Sequence, residues 1–365
     1  MNMPRRILLW VIHLALVVLL ISGMARAAPH TGTQVLPWAT RYPVVFEVTT
    51  LSTPSGPVQA RLYQPEGLSD APAIVFVHGI HKDGMDESRL RAFAQRLAAT
   101  GLRVLTPHVP SLADYRIEKS AVEVIGWSAV ALHRQARRRV GLMGLSFSGG
   151  LCLVTAADRR FLPSIGYVLA VGAHDDLERV ARFLLTNEIL TPTGETLQLQ
   201  ADPYGRLLLA YKYAAGLFDS ADVEAGRAAL RYWLWGAPEK AREQAERLSP
   251  SGKSMVQAIF DGDYTAVTPR LLKQLNQHHA ALRSVSPRKV LPKVRCPVYL
   301  VHGARDTVIP PSETQWLAHG LKGRCYVLIS PAVGHVEIDA QAPPAEQRAV
   351  MQFLQEFLTA AHQLR

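Results

Sequence analysis

A serine that can attack a carbonyl, a carboxylate and a histidine that can take the serine's proton follow one another in this chain. The serine comes from Gly144-Leu145-Ser146-Phe147-Ser148-Gly149-Gly150, directly after the apolar run Val140 to Met143. A serine hydroxyl is a weak nucleophile at neutral pH. An imidazole must therefore act as its base, and a carboxylate must hold that imidazole in the right tautomer and offset its charge. Val301-His302-Gly303-Ala304-Arg305-Asp306-Thr307-Val308-Ile309-Pro310 sets Asp306 just past a strand end. Gly334-His335-Val336-Glu337 sets His335 in the loop after the next strand, and the intervening stretch has room for one helix and one strand.

The heptapeptide offers two candidate nucleophiles. A strand-to-helix turn of the pattern G-x-S-x-G needs very small residues two before and two after its serine. With Ser146, the second glycine is replaced by Ser148. With Ser148, the first is replaced by Ser146, and the strand has to run on through the bulky Phe147. The steric register favours Ser146, so Ser146→Ala is expected to abolish acylation and Ser148→Gly to be nearly harmless. Asp175 and Asp176 are rival acids, or they cap the helix that follows them. His78 is placed to shape a loop, His302 sits in a strand end, and His81, His108 and His174 are pocket candidates by position only. No cluster has zinc-ligand spacing and no Gly-rich phosphate loop is present, so no metal or other cofactor is expected.

The elements that must position these residues read as alternating strands and helices. Val44 to Leu51 and Gln59 to Tyr63 form a leading strand pair, followed by buried strands at Ala73 to Val77, Arg103 to Thr106, Val140 to Leu145 and Ile165 to Val171. Helical stretches separate them at about 87 to 99, 117 to 136 and from the serine turn through Ala157. The last strands are Val298 to Val301 and Tyr326 to Ile329, and a terminal helix runs from near Pro344 to about Ala361. Short apolar, β-branched runs between helical patterns indicate an α/β fold with a doubly wound, mostly parallel sheet covered on both faces. Residues 172–292 lack a convincing strand and read as a helical insertion leaving the sheet at a carboxyl end, where ligands bind. A cap over the site is expected there. Its Tyr204, Tyr211, Tyr213, Tyr232, Trp233 and Trp235 either line an acyl or aromatic pocket or pack the cap helices on one another.

At 365 residues and 48% hydrophobic, the chain has material for one large domain with an appendage. Its net charge of +10 falls to +7 without residues 1–27, which hold three arginines and no acid. That balance suits a basic enzyme and calls for no nucleic-acid partner. Residues 1–27 read as a targeting segment: Arg5 and Arg6, an uncharged stretch over residues 7–25, then Ala25-Arg26-Ala27 in cleavage-site spacing. Cleaved after Ala27, it is a signal peptide; retained, its 19-residue stretch spans a bilayer as an anchor. Either way the enzyme is exported, to the periplasm or beyond, and residues 28–43 form a linker. The core is then 44–171 with 293–365. Cys152 reads as a buried thiol, while Cys296 and Cys325 each open an apolar run and either remain unpaired core thiols, as cysteine's general burial favours, or are close enough to bridge if those runs are neighbouring strands.

Taken together, these residues resemble the α/β-hydrolase superfamily, in the branch of bacterial dienelactone-hydrolase-like and lipase-like serine esterases, over about residues 44 to 361. The resemblance implies Ser146 as nucleophile, Asp306 as acid and His335 as base. His78-Gly79-Ile80 matches the family's oxyanion loop, which implies that the backbone N–H groups of Ile80 and Phe147 receive the oxyanion. The function it implies is hydrolysis of a carboxylic ester or thioester of small-molecule size through an acyl-enzyme. A peptidase or acyltransferase shares the same triad, and a non-catalytic binding protein on the same scaffold is the alternative of a different class.

Overall fold

The computed structural model describes residues 41–336, 339 and 341–364. The expected leader, and all of the linker before Arg41, lie outside the described residues. No helix among the described residues is long and apolar enough to cross a membrane.

Contacts divide the described chain into two units, one of residues 41–175 with 285–364 and one of residues 176–284. The first unit is built on an eight-stranded sheet: β1 (Val44–Thr53), β2 (Gly56–Pro65), β3 (Ala73–Val77), β4 (Arg103–Pro107), β5 (Val140–Leu145), β6 (Ile165–Val171), β9 (Val298–Gly303) and β10 (Cys325–Ser330). Their spatial order is β1-β2-β4-β3-β5-β6-β9-β10. β1 and β2 are antiparallel to each other, β2 is antiparallel to β4, and the remaining pairs are parallel. From β3 the chain moves to β4 on one side and then returns to β5 on the other. The crevice at the carboxyl ends of β3 and β5 is therefore the point where the winding reverses, which is where open α/β sheets bind ligands.

Strand alternation distributes the core between two faces. Ile74, Phe76, Tyr167 and Leu169 point with Tyr299 into a cluster closed by α1 (Ser88–Ala99) and the terminal helix Pro344–Gln363, through Leu90, Leu97, Phe353 and Phe357. Phe357 meets Tyr167 edge to face at 5.5 Å. A buried aromatic of this kind contributes about 1.5–3 kcal/mol by removal of its surface from water. The alternate residues Val75, Val77 and Leu142 are equally buried but outside that cluster. Helices α2 (Lys119–Ala136) and α3 (Phe147–Ala157) belong to this unit and pack on each other.

The second unit is mainly helical. Asp176 caps α4 (Leu177–Thr186), its Oδ1 accepting from the Glu178 and Arg179 N–H groups, and Asn187 ends the helix in the left-handed region at φ 64°. Here the expectation of a strand-free interval needs correction. β7 (Glu188–Leu190) pairs antiparallel with β8 (Thr196–Gln198) around Thr191-Pro192-Thr193-Gly194, with Gly194 at φ +88°. Strands of three residues, with Leu190 and Leu197 exposed, carry too short an apolar pattern to register as strands in the sequence. Further helices at Pro203–Lys212, Val223–Leu234, Pro238–Ala245, Pro250–Asp261 and Val267–Gln277 follow, three of them starting on proline. The aromatics here pair within the unit: Trp233 stacks on Phe260 at 4.0 Å and Tyr232 meets Trp235 edge to face.

The unit begins and ends inside the expected limits of 172 and 292. The flanking residues bond within the sheet unit: Arg288 N–H donates to the Asp175 carbonyl and Asp175 N–H to Glu313 Oε2. The cysteines are all free. β9 and β10 are neighbours, but their register sets Cys325 opposite Val298, two residues along from Cys296.

Candidate active site

Ser146 is the one residue between β5 and α3. Its backbone sits at φ 58° and ψ −132°, a conformation that side-chain-bearing residues rarely adopt and that costs on the order of 1–3 kcal/mol. The turn is held by its neighbours. Ser146 N–H donates to the Val171 carbonyl at the end of β6 at 2.7 Å. A Cβ on Gly144 would come within 2.5 Å of the Ser148 backbone, and one on Gly149 within 2.8 Å of the Ala173 methyl. These contacts give the physical reason for glycine at those positions.

Ser148 is fully buried and does not face the reaction centre. Its Oγ accepts from Leu145 N–H at 2.8 Å and lies 3.1 Å from the Val77 carbonyl and 2.8 Å from the Leu145 carbonyl. It therefore bridges the ends of β3 and β5. The expectation that Ser148→Gly is nearly harmless overlooks this hydroxyl, whose loss leaves the part-buried Leu145 N–H without its acceptor.

The three separated residues come together at the carboxyl ends of β5, β9 and β10. His335 Nε2 lies 2.7 Å from Ser146 Oγ, and His335 Nδ1 lies 2.6 Å from Asp306 Oδ2. Asp306 Oδ1 accepts from the N–H groups of Val308 at 2.8 Å and Ile309 at 3.0 Å. Because Asp306 is an acceptor, Nδ1 carries the imidazole proton and Nε2 is free to receive the serine's. Burial by itself would raise the Asp306 pKa. The charge of His335 and the hydrogen bonds from His302 and His335 outweigh that effect and hold the carboxyl well below the usual carboxylate range. Asp176 serves as a helix cap, and Asp175 is tied down through its backbone, its N–H donating to Glu313 Oε2 and its carbonyl accepting from Arg288 N–H.

The loop after β3 runs beside the serine: a Cβ on Gly79 would be 4.0 Å from Ser146 Cβ. His78 anchors it. Its Nδ1 donates to the Gly79 carbonyl at 2.7 Å and its Nε2 accepts from Val109 N–H at 3.1 Å, which ties the loop to the end of β4. Burial pushes the His78 pKa down to about 4, so the ring is neutral. Phe147 is the first residue of α3, where the N–H has no partner within the helix. Among the described residues, neither the Ile80 nor the Phe147 N–H has an acceptor.

Three contributors escape the sequence reading. Gly172, at φ +61°, directly follows β6, where a Cβ would approach the His335 carbonyl to 2.6 Å. A Cβ on Gly303 would run into the Gly334 carbonyl. The third is His302, whose ring lies 3.3 Å from Asp306. The first glycine carries a weak signal, its place just after an apolar run; the other two emerge only once strand neighbours are known. Among the described residues no group of His, Cys, Asp and Glu is placed to hold a metal ion.

Comparison with known proteins agrees with this architecture. The family model for X-Pro dipeptidyl-peptidases (S15 family) matches residues 58–336. No curated protein sequence matches the chain. Among solved structures, the acylaminoacyl peptidase of Pyrococcus horikoshii is 15% identical with a TM-score of 0.51, over 89% of this chain and 43% of that one. A puromycin-hydrolyzing peptidase of Mycobacterium tuberculosis is 16% identical with a TM-score of 0.50, over 92% of this chain and 41% of that one. This chain thus spans about two fifths of the length of those peptidases, and at such identities the likeness is one of fold. With an S15 match over most of its length and the sheet order described above, the chain is an α/β-hydrolase and belongs to the S15 peptidase family of serine hydrolases.

Proposed function

We propose that the protein is a serine acyl hydrolase that forms an acyl-enzyme on Ser146, with a carboxylic ester or thioester of small-molecule size as acyl donor. The observation that carries this reading is the continuous pair of contacts Ser146 Oγ to His335 Nε2 and His335 Nδ1 to Asp306 Oδ2. In the reaction, Ser146 Oγ bonds to the acyl carbon as its proton passes to His335 Nε2. The Ile80 and Phe147 N–H groups receive the oxyanion. The intermediate collapses as the bond to the leaving group breaks and His335 returns the proton to it. Water then repeats the sequence on the acyl-enzyme, releasing the acid and restoring Ser146.

A second reading, cleavage of a peptide amide, is favoured by the family match. It uses the same residues and asks more of His335, which must protonate a poorer leaving group. Ester cleavage is common to both readings and is therefore placed first. The leader pattern of residues 1–27 supports export, to be checked by amino-terminal sequencing of the secreted or periplasmic protein.

Labelling with a fluorophosphonate probe tests the reading. The folded protein is expected to be modified at Ser146 and the Ser146→Ala variant to resist. No modification of folded protein, or labelling that persists in that variant, would sink the proposal. p-Nitrophenyl acyl esters assayed beside aminoacyl amides then separate esterase from peptidase.

A further inference from the structure

We propose that His302 is a positioning residue of the triad, its Nε2–H holding the Asp306 carboxylate as an anion in the orientation that serves His335. The proposal rests on the acyl-hydrolase reading above for its consequence in catalysis, though not for its geometry. His302 lies on β9 and is wholly buried. Its Nε2 is 2.9 Å from the Ile309 carbonyl oxygen and 3.3 Å from Asp306 Oδ2. A carbonyl only accepts, so this nitrogen carries a proton and directs it to the Ile309 oxygen, with Asp306 Oδ2 in close electrostatic contact beside it. Its Nδ1 is 2.7 Å from Thr314 Oγ1 in the helix Ser312–Leu321 of the sheet unit. In the neutral ring the threonine hydroxyl donates there and fixes the tautomer.

Asp306 thus accepts two backbone N–H groups on Oδ1 and the His335 imidazole on Oδ2, with the His302 ring nitrogen 3.3 Å from that same Oδ2. The titratable groups acting on it are His335, from the loop after β10, and His302, from β9. Two physical effects follow. A carboxylate that accepts several N–H groups stays ionised, and its plane cannot rotate away from His335. An Oδ2 shared with a second ring also attracts the His335 proton less strongly than an unshared one. That spares His335 from becoming too stable as an imidazolium to return its proton to the leaving group.

The test compares wild type with His302→Phe, which keeps a ring but no donor, and His302→Gln, which keeps an N–H near the position of Nε2. The first readout is the NMR titration of the His335 ring, identified by its loss in His335→Gln; it needs no turnover. Its midpoint is expected to rise by about half a unit in His302→Phe, corresponding to a modest electrostatic change, and to return toward wild type in His302→Gln. The second is hydrolysis of p-nitrophenyl acetate, for which kcat is expected to fall about tenfold in His302→Phe with KM unchanged, a part of what general acid–base catalysis supplies. An unchanged midpoint in folded His302→Phe overturns the proposal. Should that variant not fold, Thr314→Val removes only the hydroxyl that orients the ring; a smaller rise supports the proposal, and a wild-type midpoint overturns it. Wild-type protein that neither labels nor turns over defeats the acyl-hydrolase reading, while the titration still decides the role of His302.

Discussion

The turn that carries Ser146 and the loop that carries His335 meet through a 2.7 Å hydrogen bond, and they are held in different ways. The serine turn is stabilised partly from within its own stretch of chain and partly from the ends of β3 and β6, through the Val77 and Val171 carbonyls. Gly144 and Gly149 provide clearance, Ser148 reaches back to Leu145, and α3 starts at the next residue. The histidine loop has some local bonds, such as Val333 N–H to the Ser330 carbonyl, but its place is set from elsewhere. It lies over Gly172, which directly follows β6, and Gly303, which ends β9. The proposed nucleophile is thus held in good part by residues next to it in the chain, whereas the proposed base depends on clearance left by distant strands.

The largest break in this comparison is chemical. Ser146→Ala is expected to lower turnover of a p-nitrophenyl ester by about a millionfold while its melting curve stays cooperative, since the side chain is used for chemistry and the turn is held by its neighbours. Retained turnover would move the nucleophile elsewhere. On the opposite side, Gly303→Ala should push the Gly334 carbonyl and displace His335; a shift near 1 Å is expected to cost about a hundredfold in kcat, read by steady-state kinetics on protein shown to be folded. Wild-type kinetics there would mean that the loop is not placed by this contact.

A smaller effect concerns acid. The His78 pKa falls from 6.5 to about 4 on folding, so between those values the unfolded chain binds a proton that the folded chain does not. Stability from this group is complete above about pH 6.5 and is lost as pH falls toward 4, by about 3 kcal/mol in total. Urea unfolding at pH 7 and at pH 4.5 measures it, and His78→Asn should flatten the dependence. Asp306 contributes in a separate window: its depressed pKa stabilises the fold above the ordinary value of 3.8 and is lost below that. The smallest effect sharpens the serine turn. Ser148→Ala is expected to destabilise by about 1–3 kcal/mol through the orphaned Leu145 N–H, with Ser146 still labelled by a fluorophosphonate.

The sheet was largely legible in the sequence because its central strands are short, apolar and bounded by turn residues; Ala73–Val77, Val140–Leu145 and Ile165–Val171 fall where the pattern puts them. β7 and β8 were not, since three residues carry no usable period. The bond from Arg288 N–H to the Asp175 carbonyl was invisible for another reason: a backbone bond between residues so far apart leaves no mark in local composition. Among the site residues, Ser146, Asp306 and His335 could be selected by type, order and loop position. The partners of Ser148 and His302 could not, because a buried hydroxyl or imidazole reads the same whether it bridges two strands or only fills space.

What the sequence alone determined is therefore the alternation of strands and helices, the small residues around Ser146 and the order of serine, carboxylate and histidine. All of these depend on local periodicity and turn chemistry. Only the tertiary structure decided that β3 and β5 lie side by side, that Gly172 and Gly303 must leave room for the histidine loop, and that His302 and His335 share one carboxylate oxygen. Strand order and register bring together residues as far apart as Ser146 and His335, and hydrogen bonds at that separation are settled by packing rather than by any neighbouring residue.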